Sequence, residues 1–161
     1  LSRLESGATP LHLLHFPAVE LLDAVADESA LHAPDLEVRV EVDPPDLAVD
    51  GDPERLHQVL ANLTDNATRF SPDGGAITLL AREAGDQVGF EVLDEGPGIP
   101  AEDLTRVFDR FYRTDDARSS DEGGSGLGLA IARWIVDLHG GTIRAERRDP
   151  TGCRMVVALP R

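Results

Sequence analysis

Residues 119–129 read S-S-D-E-G-G-S-G-L-G-L and run straight into the apolar stretch A-I-A-R-W-I-V-D-L. Glycines this dense at the mouth of a helix expose main-chain N–H groups. The free amides of a helix start carry about half a positive charge and can hold phosphate oxygens without a cationic side chain. The pattern is not the dinucleotide fingerprint G-x-G-x-x-G, because Gly124 and Gly126 are followed at the third place by Leu129 and preceded by polar residues rather than a buried strand. Nor is it a Walker A loop or the site of a eukaryotic-type protein kinase, both of which need a lysine; all 15 basic residues are arginine.

Other stretches carry chemistry of the same kind. N-L-T-D-N-A-T-R-F lies in a helical pattern over 52–70, where Asn62, Asn66 and Arg69 fall within about 60° of one another. They rim an apolar stripe of Leu56, Val59, Leu60, Leu63, Ala67 and Phe70. Such a rim is either plainly solvated or a site where amide oxygens ligate Mg²⁺ beside phosphates and an arginine pairs with them. D-E-G-P-G at 94–98 is either an ordinary tight turn or an acid, Asp94, set where glycines let a flat ligand approach and an exocyclic amine can donate to it. In F-D-R-F-Y-R at 108–113, Phe108 and Phe111 read as core anchors, and Arg110 and Arg113 as surface charges or arms that swing to a nucleotide. Segment 112–125 has almost no apolar residues and cannot bury itself, which reads as a lid or as a plain disordered loop.

These stretches need a scaffold. Gly7 and Pro10 end a helical pattern at the start of the chain, and an amphipathic helix follows with Val19, Leu22, Val25 and Ala26 on one face. L-E-V-R-V-E-V at 37–43 alternates as a half-buried strand. Asp52-Pro53-Glu54 starts the next helix, running to about Phe70, with Asp52 as the amide acceptor and Pro53 at the first helical position. Two strands joined through Gly85-Asp86 come next, then a short helix near 101–108 and a helix over 126–139 with a core stripe of Leu127, Ala130, Ile131, Trp134 and Leu138. Gly140-Gly141 ends that helix, and strands T-I-R-A-E-R and C-R-M-V-V-A-L close the chain. Consecutive strands without crossover helices favour an α+β two-layer sandwich over a doubly wound fold.

At 161 residues and 41% apolar content, the chain has enough for one domain with a core. A net charge of −15 argues against nucleic acid or an anionic membrane as partner. One cysteine, Cys153, excludes an internal disulfide, and the five histidines show no metal-ligand spacing. The start in mid-pattern at Leu1 suggests a piece of a longer chain.

In this order the segments resemble the catalytic, ATP-binding domain of sensor histidine kinases. That domain has the Bergerat fold, a mixed and mostly antiparallel sheet covered on one face by about three helices, with a mobile ATP lid. N-L-T-D-N-A-T-R-F-S resembles the N box, D-E-G-P-G-I the first glycine box, F-D-R-F-Y-R the F box and G-S-G-L-G-L-A-I the second glycine box, together covering roughly 52–160. Residues 1–10 resemble the tail of the dimerisation helix and a linker, 11–161 the catalytic domain, and 112–125 its lid. The resemblance implies the cofactors ATP and Mg²⁺, with Asn66 as the metal ligand and Asn62 assisting at the phosphates. Arg69 would contact phosphate and Phe70 would pack on adenine. Asp94 would accept from the adenine amine, in a pocket shaped by Gly96, Gly98 and Ile99. Arg113 would reach the phosphates from the lid side, and Gly124, Gly126, Leu127 and Gly128 would form the phosphate-facing helix start.

Hydrolytic members of the superfamily carry a glutamate, as general base for water, at the place of Asn62. An amide cannot take that proton, so kinase chemistry is favoured over hydrolysis. The implied partners are a phosphoacceptor-histidine dimerisation domain of the same protein and a response-regulator receiver. The chain would be a monomer, the full-length protein a homodimer, and the domain the cytoplasmic part of a membrane-anchored sensor. Two departures stand out. Cys153 sits where a threonine or serine hydroxyl usually helps the adenine-binding acid, and a thiol donates only weakly. The phosphoacceptor-histidine motif is absent, so the chain should bind ATP without phosphorylating itself. Two other readings stay open: an anti-sigma-factor-type serine kinase, against which the F box and the N-terminal helix tail count, and a non-catalytic nucleotide-sensing module.

Overall fold

A computed structural model describes residues 10–72, 74–110, 112 and 127–160. Strand β1 (Leu14–Pro17) leads into helix α1 (Ala18–His32), followed by β2 (Glu37–Asp43), β3 (Ala48–Gly51) and helix α2 (Pro53–Phe70). Strands β4 (Ala76–Ala84) and β5 (Gln87–Leu93) form a hairpin; beyond it lie a single 3-10 turn at Ala101–Asp103, helix α3 (Gly128–Leu138), β6 (Thr142–Arg147) and β7 (Cys153–Pro160). The main sheet runs β2-β4-β5-β7-β6, and β1 and β3 form a separate two-stranded ribbon.

All pairs in the main sheet are antiparallel except β2 with β4, which are parallel from Glu37 opposite Ala76 to Asp43 opposite Arg82. A parallel pair needs a crossover, and α2 supplies it, which lays this helix across the sheet. The sandwich read from the sequence is thus present, and its three helices pack on one face. Leu22 of α1, Leu63 of α2 and Ile135 of α3 share a core with Ile77, Leu79, Phe90, Val157 and Leu159 of the strands. Each such side chain contributes about 1.5–3 kcal/mol on burial. On the uncovered face Glu91 is nearly inaccessible, held by Arg82 at 2.7 Å and Arg154 at 2.5 Å.

The helix starting at Asp52 forms as its capping residues predict: Asp52 Oδ1 accepts from the Arg55 amide at 3.2 Å and Pro53 opens the helix. Three expectations are corrected. The helix near 101–108 is one 3-10 turn followed by further turns. Helix α3 buries Ala132, Ile135 and Val136, while Ile131 and Trp134 pack half-buried along its flank. This helix is apolar almost all round, so periodicity had two stripes to choose from. Phe70, the last residue of α2, is half-buried and lies outside the core cluster. The proposed helix tail at 1–7 lies outside the described residues, as does the lid apart from Tyr112.

Candidate nucleotide site

Helix α2 is the spine on which the glycine segments converge. Near its middle the Asn62 side-chain amide donates to the main-chain oxygen of Gly128, the first residue of α3, at 3.0 Å. At its end the Phe70 carbonyl closes on Gly96 so tightly that a Cβ there would stand 2.5 Å from the oxygen. Asn62 and Phe70 are eight residues apart in sequence, about 12 Å along a helix at 1.5 Å per residue. The two glycine segments are therefore pinned at two points of one rigid element, its middle and its end, a separation comparable to that between the base and the phosphates of a nucleotide.

At the Gly96 end, Asp94 is 5% exposed. Its Oδ1 accepts from the amides of Gly96 at 2.9 Å and Cys153 at 3.0 Å. Its second oxygen takes no hydrogen bond among the described residues. Burial pushes the carboxyl above its ordinary value of 3.8, opposed by those two amides and by the nearby Arg148 guanidinium. The glycines are needed here. Gly98 has φ +82 and its Cβ would stand 2.9 Å from the Gly152 carbonyl; Gly152 has φ +117 and its Cβ would stand 2.2 Å from the Asp94 carbonyl. Ile99 packs half-buried against the core. A buried acid with one oxygen committed, ringed by close-packed backbone, suits a flat ligand bearing an exocyclic amine.

Cys153 meets Asp94 through its main-chain amide. It is buried, and burial together with the Asp94 charge pushes its thiol up to about 12.

At the other end, Asn66 lies one turn beyond Asn62 and is half-buried, and its amide makes no hydrogen bond among the described residues. An amide oxygen is a hard donor that suits Mg²⁺. Among the described residues no group of three His, Cys, Asp or Glu is placed to hold a metal ion, so an ion here would depend on such amide oxygens and on the ligand's own. Arg69 pairs with Asp65 at 2.9 Å on the exposed side of α2. Gly128 begins α3, and the apolar Leu127 stands at its N-cap, where an oxygen-bearing side chain usually satisfies the first amides. Among the described residues, a Cβ on Gly128 would meet only the Asn62 Cγ, at 4.0 Å. Gly124, Gly126, Arg113 and Phe111 lie outside the described residues, while Phe108 is buried as a core anchor.

Three contacts went unread in the sequence. His139 joins the far ends of the two helices: its Nδ1 bonds to the Ile135 carbonyl at 2.9 Å and its Nε2 accepts from the Asp52 amide at 3.1 Å. Arg148 donates to the Asp94 carbonyl at 2.6 Å, and Thr151 to the Gly96 carbonyl at 2.7 Å. Nothing in R-R-D-P-T-G distinguishes these residues from an ordinary hairpin connection.

A helix-covered mixed sheet with an acid-and-glycine pocket joined by one helix to a glycine-led helix start fits a nucleotide-binding domain. The chain belongs to the histidine kinase-, DNA gyrase B- and HSP90-like ATPase family, which matches over residues 51–161. SenX3, a sensor-like histidine kinase of Mycobacterium tuberculosis, is 45% identical over 126 residues, covering 78% of this chain and 30% of its own length. Full-length ShkA in complex with AMPPNP is 30% identical with a TM-score of 0.86, covering 99% of this chain and 33% of that one. Histidine kinase ThkA, solved in complex with the response regulator protein TrrA, is 30% identical with a TM-score of 0.76 over 92% of this chain and 41% of that one. The chain is an ATP-binding catalytic domain of the sensor histidine kinase type, and it spans about a third of the length of the curated relatives it matches.

Proposed function

We propose that this domain binds Mg-ATP and, within its full-length protein, transfers the γ-phosphoryl group to a histidine of a dimerisation domain, for relay to a response-regulator aspartate. The observation that carries the reading is the double attachment of α2, through Asn62 to Gly128 and through Phe70 to Gly96. In this reading Asp94 accepts from the adenine amine within the pocket of Gly96, Gly98 and Ile99. The ring lies against Phe70, and Cys153 supports Asp94 through its main-chain amide. The helix start at Leu127 and Gly128, with Gly124 and Gly126, receives the phosphates. Asn62 and Arg69 stand beside it, and Arg113 comes from the lid.

Asn66 would hold Mg²⁺, which when bound screens phosphate charge and orients the phosphates. Asn62 is the residue that separates transfer from hydrolysis: its amide cannot take a proton from water, and its N–H is already given to Gly128. Residues 1–10 are assigned to the dimerisation-helix tail and linker, 11–161 to the catalytic domain and 112–125 to its lid. The domain is assigned to the cytoplasmic side of a membrane-anchored sensor that works as a homodimer; among the described residues no helix is long and apolar enough to cross a membrane.

The test is ATP binding by calorimetry with and without Mg²⁺. Asn66→Ala should remove the Mg²⁺-dependent gain, and unchanged Mg-ATP binding would remove Asn66 from the site. A separately made histidine-bearing hairpin with radiolabelled ATP then distinguishes the reactions. Acid-labile label on the hairpin supports histidine transfer, and no label on it points to a nucleotide-sensing module.

A further inference from the structure

The acid of the glycine pocket is held from behind by one connection, residues 148–152 between β6 and β7. Arg148 Nη1 donates to the Asp94 main-chain oxygen at 2.6 Å, and Thr151 Oγ1 to the Gly96 oxygen at 2.7 Å. The Arg148 amide closes the connection on the Gly152 oxygen at 3.0 Å, and the Asp94 amide donates to the Cys153 oxygen at 3.0 Å. Gly152 and Gly98 permit the close approach, since a Cβ on either would overlap a main-chain oxygen. The carbonyls of Asp94 and Gly96, one on each side of Glu95, are thus each taken by a side chain of the same connection. The peptide planes on both sides of the turn are fixed, and with them the direction of the Asp94 carboxylate.

Arg148 also sets the charge around that carboxylate. The described groups that bear on it are the Arg148 guanidinium from the β6–β7 connection, which opposes the upward push of burial, and the buried Cys153 thiol from β7, which is neutral over the ordinary pH range.

We propose that Arg148 and Thr151 are positioning residues for Asp94, and that through its orientation they set the preference for adenine over guanine. Guanine presents an oxygen where adenine presents an amine, so a carboxylate that is correctly aimed and ionised rewards one base and repels the other. An acid free to turn loses part of that difference. The inference rests on the nucleotide reading given above.

The test measures ADP and GDP binding by calorimetry on the 161-residue chain, with Arg148→Met, Arg148→Lys, Thr151→Val and Asp94→Asn, each checked for folding by thermal melting. Arg148→Met is expected to weaken ADP binding about tenfold, the loss of roughly one charge-assisted hydrogen bond, with little change for GDP. Its pH midpoint for ADP binding should also move upward, because a cation that favours the charged form has been removed. Arg148→Lys should restore part of both effects, and Thr151→Val should narrow the ADP/GDP ratio without moving the midpoint. If Arg148→Met weakens both nucleotides equally, or leaves ratio and midpoint unchanged while Asp94→Asn weakens ADP binding, the positioning role is wrong and the site stands. If Asp94→Asn leaves ADP binding intact, the nucleotide reading itself fails.

Discussion

The Asn62 amide spends its N–H on the Gly128 carbonyl, 66 positions away in sequence and 3.0 Å away in space. That bond joins the start of α3 to the middle of α2, and it fixes which end of the amide faces Gly128. A carboxylate at position 62 would set two acceptors against each other. Asn62→Ala should therefore cost about 1 kcal/mol of stability, the net worth of one hydrogen bond, and Asn62→Asp should cost more. Chemical denaturation of the two variants checks the order; equal or reversed losses would show that the tie is not felt.

The buried acids Asp52 and Asp94 titrate in opposite directions. Asp94 has a folded-state value above its ordinary 3.8, raised by burial. Its contribution to stability is therefore fully present below the unfolded value and is lost as pH rises through the folded one. Asp94→Asn should accordingly be at least as stable as the parent at pH 7. It should still bind nucleotide roughly ten- to a hundredfold more weakly, since hydrogen bonds to charged groups are worth about 1.5–3 kcal/mol. In the parent, ATP binding should fall off in acid at a pH above 3.8. Melting curves and calorimetry across pH read both effects.

For Asp52, burial pushes the carboxyl up, but the amides of His12, Arg55 and Glu54 outweigh it and bring it below 3.8. Its contribution is present above the unfolded value and lost as pH falls through the folded one, so the loss is confined to pH below about 4. Asp52→Ala should cost about 1–2 kcal/mol at neutral pH through loss of the α2 cap. The variant should also show a shallower acid limb than the parent in a pH-dependent melt.

The glycines divide into two kinds. Gly98→Ala places a side chain at φ +82 and 2.9 Å from the Gly152 oxygen, so it should destabilise the fold by at least the 1–2 kcal/mol of a left-handed residue. At Gly128 an added Cβ meets, among the described residues, only Asn62 Cγ at 4.0 Å. Gly128→Val should therefore melt near the parent temperature while binding ATP more weakly. Unfolding of the Gly128 variant would make that glycine structural first.

Legibility followed local chemistry. Helix α2 announced its start through Asp52-Pro53 and its buried face through a regular stripe, and both needed only residues within one turn. Strand β2 was plain because charged and valine residues alternate without a break. The β1–β3 ribbon was not legible: each strand has four residues, too few for periodicity to register, and one ends in proline. The site was read as a set of segments because glycines, amides and one acid have types that stand out. Their mutual placement was not, since Asn62 with Gly128, His139 with Asp52 and Arg148 with Asp94 are contacts between distant positions made partly by main-chain atoms. The Cys153 contact with Asp94 was hidden for the same reason, as it is made by an amide that every residue but proline carries.

The bridge made by His139 limits where a phosphoryl group can go. An imidazole accepts phosphorus through a nitrogen lone pair, and the neutral ring has one such pair. In His139 that pair, on Nε2, already receives the Asp52 amide, while the protonated Nδ1 is turned to Ile135. The histidine that joins α2 to α3 is thus closed as a nucleophile, and phosphorylating it would pull away the amide of the α2 cap residue. A domain built this way keeps this imidazole out of reach of the group it is proposed to hand on.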